Sequence, residues 1–571
     1  MSVWRQKEAD AGRVASLKAL GHADIVARVL ALRGQDAQSV DEFLKPSLKN
    51  LASPEDLPGV KEAVEQILDN LDGVVVFGDY DCDGVSATAI MLSVLNAIRP
   101  GCAEAFIPER LTEGYGMSDQ AVARMLKEHP GVKLVVTVDN GIGALKYVRQ
   151  LKARGVKVVI TDHHLAGEDV AELQAEADAL VNPKVAAPES LRDLCGAGVA
   201  FMLAKALTDR ARRDGLYAGP AIGGPLLVMA GLATVTDIMP LTGQNRILVA
   251  EALKRFRTLA PTGLKELHRR AARTTPLTLD CKDFGFLIGP RINAAGRMGS
   301  GTAALKLLLE RDREAAAGIA YEVQCLNDRR KTVEAQMLAE ASGQIVAGAP
   351  AQIIDLPDGH QGVAGIVASK VMEMRPEGPV AVIAGGHGSC RAPEGFNVHD
   401  LLAEAGDTLT SFGGHAQAGG FAVKAGRMDD FRRLFAEAAG AQAARLTAAG
   451  RSPETVWYDA EIKGKELTLE LAAALNELEP FGEGNEEPVF RLRNVYLSNV
   501  RPVGREGRHL ALEFKDVNIP RAMWWNRGGR LEELRAHSSQ TVDVLFRMEI
   551  SEYGQRHLEL RVVELAINSS L

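Results

Sequence analysis

Three aspartates occupy every second position of the segment GDYDCDG, directly after a run of β-forming residues. Asp79, Asp81 and Asp83 follow VVVF at 74–77 and precede a stretch with helical spacing. Like charges crowded at a strand end are unfavourable unless a cation lies among them. The spacing therefore suggests that hard oxygen ligands bind a metal ion here.

Other kinds of site contain similar acidic patterns. An EF-hand loop starting at Asp79 would need a bidentate Glu at its twelfth position, which is Ile90, and a helix rather than a strand before it. The EF-hand is therefore rejected. DCDGV at 81–85 is also similar to the strand-end motif of aspartate-nucleophile phosphatases. An isolated acidic triplet is most often a solvated turn without a ligand.

The triplet is not isolated, because further acids and histidines follow other predicted strands. Asp139 ends KLVVTVD, the triplet Asp162, His163 and His164 follows VKVVIT, and Asp237 follows an apolar helical segment. The carboxyl ends of parallel strands face one crevice, so these side chains are expected to converge.

The donor set indicates which ion this crevice would hold. Carboxylates with imidazole and without thiolate favour Mn²⁺ or Mg²⁺. A single divalent ion would leave a net negative charge on this many carboxylates, so two ions are expected. A pair of ions about 3.5–4 Å apart is the known clamp for displacement at phosphorus.

The elements that must position these groups can be read from hydrophobic periodicity. The Val/Ile runs at 73–78, 133–139 and 156–162 do not alternate, as is typical of strands buried on both faces. Segments with helical spacing lie at 86–98, 143–155 and 196–213. This alternation predicts an α/β fold with a parallel, doubly wound sheet.

The C-terminal half changes pattern twice. Most of 302–344 is predicted to be a helix long enough to connect two domains, and a second α/β region follows with strands AQIID and PVAVIAG. Its glycine-rich segments GHGSC and SFGGHAQAGG are predicted as turns. After AGRSPE, period-two alternation in HLALEF, VDVLFRMEI and HLELRVVELAI predicts an antiparallel β domain, expected to be a barrel.

Composition limits the class of protein. With 46% hydrophobic and 25% charged residues, the chain resembles an ordinary globular protein, and no run approaches the roughly 20 apolar residues of a membrane span. The N-terminus lacks the apolar region of a secretory signal. Six scattered cysteines predict a reducing, cytoplasmic environment. A net charge of −8 means that nucleic-acid binding would require local basic clusters and metal ions.

The motifs GDYDCDG, VDNG and TDHH resemble those of the DHH phosphoesterases. IPERLTEGYGMS, GPRINAAGRMG, GHQGVAGIVASK, FGGHAQAGG and PFGEGNEEPVF are similar to segments of the bacterial RecJ family of single-stranded-DNA exonucleases. The resemblance implies a DHH domain, a connecting helix, a DHHA1 domain and an OB-fold. The predicted boundaries are 1–54 for an N-terminal helical extension, 55–301 for DHH, 302–345 for the connecting helix, 346–447 for DHHA1 and 451–571 for the OB-fold.

The resemblance also implies roles for individual residues. One Mn²⁺ or Mg²⁺ is expected on Asp83, Asp139, His163 and Asp237, and a second on Asp79, Asp81 and the bridging Asp139. His164 is a candidate to protonate or hydrogen-bond the leaving side, and Asp162 to orient an imidazole.

Substrate-binding residues are implied in the same way. Arg110, Ser389 and Arg391 are expected to hold a 5′ phosphate, because the planar fork of arginine suits a terminal dianion. Further candidates for DNA contact are Arg291, Asn293 and Arg297 of GPRINAAGRMG, Tyr115 as a base-stacking residue, and His415 in a phosphate-approach loop. Trp524 and Trp525 either face a DNA groove of the barrel or fill its core.

The function implied is a metal-dependent 5′→3′ exonuclease that degrades single-stranded DNA to 5′-mononucleotides in repair and recombination. A single-strand binding protein and a helicase are candidate partners, and no membrane partner is expected. One alternative is a DHH hydrolase of small substrates, such as a nanoRNase or a pyrophosphatase, against which the C-terminal β domain argues. The other is a non-catalytic replication scaffold, against which the complete set of carboxylates argues.

Overall fold

The structure is a computed structural model, and it describes residues 3–220, 223–272, 279–449, 455–515, 517, 521–537, 540–551 and 556–568. The chain divides into two compact units. One comprises Met1–Asn50, Pro240–Ala250 and Glu454–Leu571, and the other comprises Leu51–Met239 and Glu251–Pro453. In the part of the chain that the structure describes, no helix is both long and apolar enough to cross a membrane.

The larger unit begins with the predicted α/β domain. Its five strands are all parallel, in the order β3-β2-β4-β5-β6, which confirms the predicted parallel sheet. The strands are β2 (Val74–Phe77), β3 (Ala103–Phe106), β4 (Leu134–Val138), β5 (Lys157–Thr161) and β6 (Ala179–Val181). The patterns identified β2, β4 and β5, whereas β6 has only three residues and β3 (AEAF) contains no Val/Ile run.

Helices cover this sheet and extend beyond it. They are α4 (Val60–Asp69), α5 (Cys82–Ile98), α6 (Asp119–Glu128), α7 (Leu145–Lys152), α8 (Val170–Glu176), α9 (Pro183–Ala186), α10 (Gly196–Arg213), α11 (Gly223–Thr236), α12 (Gly243–Leu259), α13 (Thr262–Ala271) and α14 (Gly289–Met298). A π-helical segment, Asp283–Ile288, leads directly into α14. Helix α5 begins four residues before the predicted segment, because the side chain of Asp81 caps its free N–H groups.

The predicted connecting segment is two helices rather than one, α15 (Thr302–Leu309) and α16 (Arg313–Ser342). Helix α15 ends with Glu310 as its C-cap residue. Asp312 then caps the N-terminus of α16 by accepting a hydrogen bond from the N–H of Ala315 at 2.9 Å. Helix α16 has 30 residues and packs against α13, α14 and α17 (Gln361–Met374). It is therefore shared between the DHH and DHHA1 regions of the unit.

The second α/β region has a mixed sheet in the order β10-β11-β9-β8-β7, with only β7 and β8 parallel. Its strands are β7 (Gln352–Leu356), β8 (Val380–Ala384), β9 (His387–Arg391), β10 (Leu409–Gly414) and β11 (Ala418–Val423), and its remaining helices are α18 (Val398–Glu404) and α19 (Met428–Ala448).

The segments GHGSC and SFGGHAQAGG, predicted as turns, are mainly strand: they form most of β9 and the β10–β11 hairpin, and only residues 415–417 make the turn between two strands. Their glycines let neighbouring groups approach the backbone. A Cβ on Gly388 would lie 2.0 Å from Cζ of Phe421, and one on Gly419 2.8 Å from Cγ1 of Val398. Glycine here makes room for side chains that pack against the strands.

The smaller unit contains the predicted barrel. Strands β14 (Phe490–Val503), β15 (His509–Phe514), β16 (Ala522–Trp524), β18 (His557–Ile567) and β17 (Thr541–Ser551) follow one another, and pairing of β14 with β17 closes the ring. Strand β13 (Ala460–Glu461) adds to β14, and helices α20 (Leu469–Asn476) and α21 (Leu531–Ala536) lie in the same unit. The predicted start of the OB-fold at residue 451 lies outside the described residues.

The two tryptophans left open by the sequence have different environments. Trp524 is 1% exposed and belongs to the core of the barrel unit, whereas Trp525 is 49% exposed and lies edge-on to His509.

The N-terminal segment is not a separate helical extension. It contains the helices α1 (Ala11–Ala19), α2 (Asp24–Leu32) and α3 (Val40–Leu44), but it opens with strand β1 (Val3–Gln6), which pairs in parallel with β12 (Thr455–Tyr458). The apolar face of α2 is buried in the same core as the barrel residues. The sequence reveals that face but not the distant segment that covers it.

Candidate active site

The aspartate triplet lies where β2 ends and α5 begins. Asp81 accepts hydrogen bonds from the N–H groups of Asp83 (3.0 Å) and Gly84 (3.1 Å), which turns the chain into the helix. Asp83 lies in the first turn of α5, and its two oxygens accept from the N–H groups of Gly196 and Ala197, both at 2.7 Å. The positive end of α10 therefore holds the Asp83 carboxylate.

Acids and a histidine from distant segments meet the triplet. Nε2 of His163 lies 3.1 Å from Oδ1 of Asp139, and 3.6 Å from one carboxylate oxygen each of Asp83 and Asp237. Asp139 follows β4 with a φ of 62°, so the chain turns sharply at the strand end.

We use the name carboxylate cluster for Asp79, Asp81, Asp83, Asp139 and Asp237 together with His163. Ligand atoms within 4.8 Å of one another form three overlapping groups, which are Asp79–Asp81–Asp139, Asp83–His163–Asp237 and Asp139–His163–His164. Asp139 belongs to two of these groups, the one with Asp79 and Asp81 and the one with the two histidines. All six predicted metal-binding side chains are thus brought together.

The negative charges of the carboxylate cluster are not balanced by nearby positive side chains of the described residues. Burial, followed by the neighbouring carboxylates, raises the pKa of Asp79, Asp139 and Asp237 well above the ordinary value. Burial lowers the pKa of His163 to about 4. Oδ1 of Asp79, Oδ1 of Asp139 and both ring nitrogens of His163 are buried without a well-formed hydrogen bond to any described residue. Such oxygen and nitrogen atoms fit divalent cations.

His164 lies beside the cluster in a network of hydrogen bonds. Its Nδ1 is 2.8 Å from Oδ1 of Asp162 and 3.1 Å from the hydroxyl of Tyr115. Asp162 is buried and also accepts from the backbone N–H groups of His163, His164 and Ile142. Burial alone would lower the pKa of His164, but the hydrogen bond to Asp162, together with the negative charges of Asp162, Asp83 and Asp81, outweighs burial and raises it.

Tyr115 was predicted as a base-stacking residue, and its hydroxyl is engaged within the protein. It donates to the backbone oxygen of Asp139 at 2.9 Å and also contacts His164. Its ring lies edge-on to His164, with the centroids 5.6 Å apart, and half of the residue is exposed. Tyr115 thus links the end of β4 to the TDHH segment.

The motif GPRINAAGRMG forms α14 and packs against the loop that carries Asp79 and Asp81. Asn293 accepts from the backbone N–H of Cys82 at 2.7 Å, and Gly296 lets the helix touch the loop, because a Cβ there would lie 2.3 Å from the oxygen of Tyr80. Arg291 differs from its prediction, since its guanidinium donates to Gln324 (2.7 Å) and to the backbone oxygen of Leu287 (2.6 Å). The hydrogen bond to Gln324 joins α14 to α16.

Three arginines form a second group, which we name the arginine cluster: Arg110, Arg297 and Arg391. Arg110 lies over the ring of Tyr80, 5.1 Å from its centroid. Arg297 donates to the backbone oxygen of Gly362 (3.1 Å), and Arg391 to that of Cys390 (2.7 Å).

The arginines act on one another electrostatically. Burial, and then the charge of Arg110, lowers the pKa of Arg297 to about 10, and burial also lowers the pKa of Arg391. Gly365 of α17 leaves space beside them, because a Cβ there would lie 3.0 Å from Nη2 of Arg391 and 3.4 Å from Oγ of Ser389. Like charges held together in this way form a site for an anion.

His415 lies at the turn between β10 and β11, where its backbone N–H donates to the oxygen of Ala418 at 2.7 Å. Burial lowers the pKa of its imidazole, with smaller contributions from the charges of His164 and Lys184. The predicted loop of the DHHA1 region therefore lies within electrostatic range of the TDHH segment.

Several residues that shape the site were not predicted. Lys184 contributes to the electrostatics of His163, Asp237 and His415. It follows Asn182, which donates to the backbone oxygen of His164 at 3.0 Å. The only signal in the sequence was the NPK segment after the unrecognised strand β6.

Known proteins resemble the chain over nearly its whole length. The DHH family N-terminal domain matches residues 73–222, the DHHA1 domain matches 348–441, and the RecJ OB domain matches 458–564. A protein of Dickeya dadantii (strain 3937) described as single-stranded-DNA-specific exonuclease RecJ is 32% identical, with 95% of this chain and 96% of that protein covered. The corresponding protein of Escherichia coli K12 is 32% identical, with 94% of each covered.

Solved structures agree. The crystal structure of RecJ from Thermus thermophilus in complex with Mn²⁺ superposes with a TM-score of 0.83 at 31% identity, covering 100% of this chain and 80% of that chain. The Mg²⁺ complex of the same protein gives a TM-score of 0.77 at 30% identity, covering 100% and 79%.

A DHH domain followed by a DHHA1 domain, with carboxylates gathered at the strand ends, defines the class of DHH phosphoesterases. Within that class, the OB domain and the full-length similarity are decisive. The chain belongs to the RecJ family.

Proposed function

We propose that this chain is a single-stranded-DNA-specific exonuclease that uses two divalent ions, Mn²⁺ or Mg²⁺, and releases 5′-mononucleotides from the 5′ end. The observation that carries the proposal is the overlap of the ligand groups at Asp139. Related RecJ structures with Mn²⁺ and with Mg²⁺ support the choice of ions.

Two sets of residues would hold the ions. Asp83, Asp139, His163 and Asp237 form one set, and Asp79, Asp81 and Asp139 form the other. Their buried, unpartnered oxygen and nitrogen atoms suit hard divalent cations. When bound, a pair of ions supplies activated water and neutralises charge that develops on the phosphoryl oxygens.

The neighbouring side chains would handle the proton. The carboxylate of Asp162 accepts from Nδ1–H of His164, so Nε2 is the atom of His164 left for the substrate. Its raised pKa favours a proton on this ring, and Nε2–H can donate to the O3′ of the departing nucleotide. The hydroxyl of Tyr115 contacts the same Nδ1 and so helps to fix the orientation of the imidazole.

The arginine cluster would recognise the end of the strand. Arg110, Arg297 and Arg391 with Ser389 offer planar, charged donors for a terminal phosphate dianion. Tyr80, over which Arg110 lies, stands between Asp79 and Asp81 in the sequence, so a held 5′ phosphate would lie next to the carboxylate cluster. The 5′→3′ polarity rests on the resemblance of the segments that carry these residues.

Digestion of end-labelled strands tests the proposal. Single strands labelled at either end are incubated with Mn²⁺, with and without chelator, beside the Asp139→Asn variant. We expect mononucleotides from the 5′ end first, no product with chelator, and no product from the variant. Release from the 3′ end first would contradict the polarity, and intact strands would favour the scaffold alternative. Faster cleavage of a dinucleotide than of a long strand would favour the small-substrate hydrolase.

The proposal includes the cellular setting. A helicase that exposes single strands and a single-strand binding protein that covers them are the proposed partners, and co-purification would test them. The structure describes all six cysteines and none of them forms a disulfide bond, which accords with the proposed cytoplasmic location.

A further inference from the structure

The C-terminal end of α11 has an unusual residue at its turning point. Ile238 adopts the left-handed conformation, with a φ of 56°. Its N–H donates to the oxygen of Val235 at 3.3 Å, and the N–H of Met239 donates to that of Thr234 at 3.1 Å. This pair of bonds is the Schellman motif, and Ile238 occupies the position where the backbone reverses.

The neighbouring helix α10 ends with the same motif and a different residue. Gly215 has a φ of 72° and its N–H donates to Arg212, while the N–H of Leu216 donates to Ala211 at 2.8 Å. Helices α1 and α2 reverse in the same way at Gly21 and Gly34. Glycine is favoured here because a Cβ clashes with the following carbonyl oxygen.

Side-chain packing does not offset the cost of the left-handed backbone at Ile238. Ile238 is 72% exposed, so most of its side chain contacts no described residue. Among the described non-glycine residues with positive φ, the others are Asp139, Asn494, Glu506 and Asn526, so Ile238 is the β-branched exception. The fold alone would therefore be better served by glycine, and the side chain is expected to act on something outside the chain.

The position of Ile238 in the fold indicates what its side chain would contact. It follows Asp237 directly, and a carboxylate oxygen of Asp237 lies 3.6 Å from Nε2 of His163. We propose that the Ile238 side chain is an apolar contact surface for a nucleobase of the strand bound at the carboxylate cluster. This inference rests on the proposed exonuclease function. Bases are the apolar part of a single strand, and contact with a base face tolerates any sequence.

The test compares two substrates and four variants. One substrate is an intact 5′-phosphorylated strand, and the other is the same strand without bases on its first two nucleotides. For Ile238→Gly we expect kcat/KM to fall about tenfold on the intact strand and less than about twofold on the abasic one. The thermal midpoint should rise by about 2 °C, because the strained backbone is relieved.

Controls separate the side chain from the backbone. Ile238→Val should retain most of the activity, since it keeps an apolar β-branched surface. Ile238→Asn tolerates the left-handed backbone and should behave like the glycine variant, which keeps the test decisive if glycine impairs folding. Leu216→Ala, at an exposed apolar residue after α10, should leave both rates unchanged.

Equal loss on intact and abasic strands, or no loss on either, would overturn the inference while leaving the exonuclease function in place. If the wild-type protein released nucleotides from neither strand, the proposed function would fail first and the inference with it.

Discussion

The carboxylate cluster and the arginine cluster are both groups of like charges, but they are assembled in opposite ways. The carboxylates follow strands β2 and β4 of one sheet and the helix α11, His163 follows β5, and Asp83 is held by the backbone N–H groups that open α10. The arginines come from a loop, from α14 and from β9, and two of them are held by backbone oxygens. Neither cluster is neutralised from within.

This difference indicates how the two clusters divide the work. A buried group of carboxylates is stable only with cations, and a buried group of guanidinium ions only with anions. Under the proposed function, metal ions would supply the positive charge and the phosphates of a strand the negative charge. The first cluster is therefore suited to chemistry at phosphorus, and the second to recognition of the strand end.

The largest expected effect comes from the residue shared within the carboxylate cluster. Asp139→Asn keeps the shape and removes the charge, so exonuclease activity should fall about a thousandfold or more. In chelator the same variant should have a higher thermal midpoint than the wild type, because one of several crowded carboxylates is gone. Loss of activity with a lower midpoint would point to misfolding instead. The measurements are rates with Mn²⁺ and thermal unfolding in chelator.

The next effect tests the arginine cluster. Arg391→Lys keeps a charge but loses the planar fork, so kcat/KM on 5′-phosphorylated strands should fall about 10- to 100-fold. Strands with a 5′ hydroxyl should be affected much less. Equal loss on both substrates would mean that Arg391 does not recognise the terminal phosphate.

A smaller effect is expected from crowding Arg391 without replacing it. Gly365→Ala places a Cβ 3.0 Å from Nη2 of Arg391, and this flexible side chain can shift. Activity on phosphorylated strands should fall by about threefold to tenfold. Gly318→Ala in α16 is the matched control, because a Cβ there meets nothing within 4 Å. An equal loss in both variants would exclude an effect through Arg391.

The smallest effect concerns the loop that carries Arg110 and Tyr115 to the two clusters. Glu113 accepts from Arg124 at 2.6 Å and from the N–H of Glu109 at 2.7 Å. The hydrogen bond from Arg124 lowers the pKa of Glu113 below its usual 4.5. The ion pair therefore stabilises the loop above that pH, and the stabilisation is lost as the pH falls through the lowered pKa.

Glu113→Gln should reduce the local stability of this loop at pH 7 by about 1 kcal/mol, because it removes a charged hydrogen-bond acceptor whose side chain is only 6% exposed beside a partly exposed Arg124. Hydrogen exchange of residues 107–115, compared with the wild type, should be faster at pH 7, and the difference should disappear as the pH falls through the lowered pKa of Glu113. A difference that persists at low pH would show that the charge of Glu113 is not responsible.

Local patterns in the chain were sufficient for three strands of the parallel sheet, for the long helix and for the barrel strands β15, β17 and β18, but not for β14 and β16. They also placed Asp139 and His163 correctly, since unbroken Val/Ile runs mark buried strands, and the ends of parallel strands converge. Short-range periodicity carries this information, because it depends only on the residues within one element.

Long-range packing decided the rest. Three features depend on segments far apart in the chain. The N–H groups of Gly196 and Ala197 hold Asp83, and the N-terminal helices pack against the barrel unit. On α14, Asn293 contacts the acidic loop whereas Arg291 contacts α16. The glycine-rich strands β9–β11 became recognisable only when the side chains packed against them were known. A residue type states which contacts are chemically possible, whereas the neighbour that makes the contact is selected by the folded arrangement of all the elements at once.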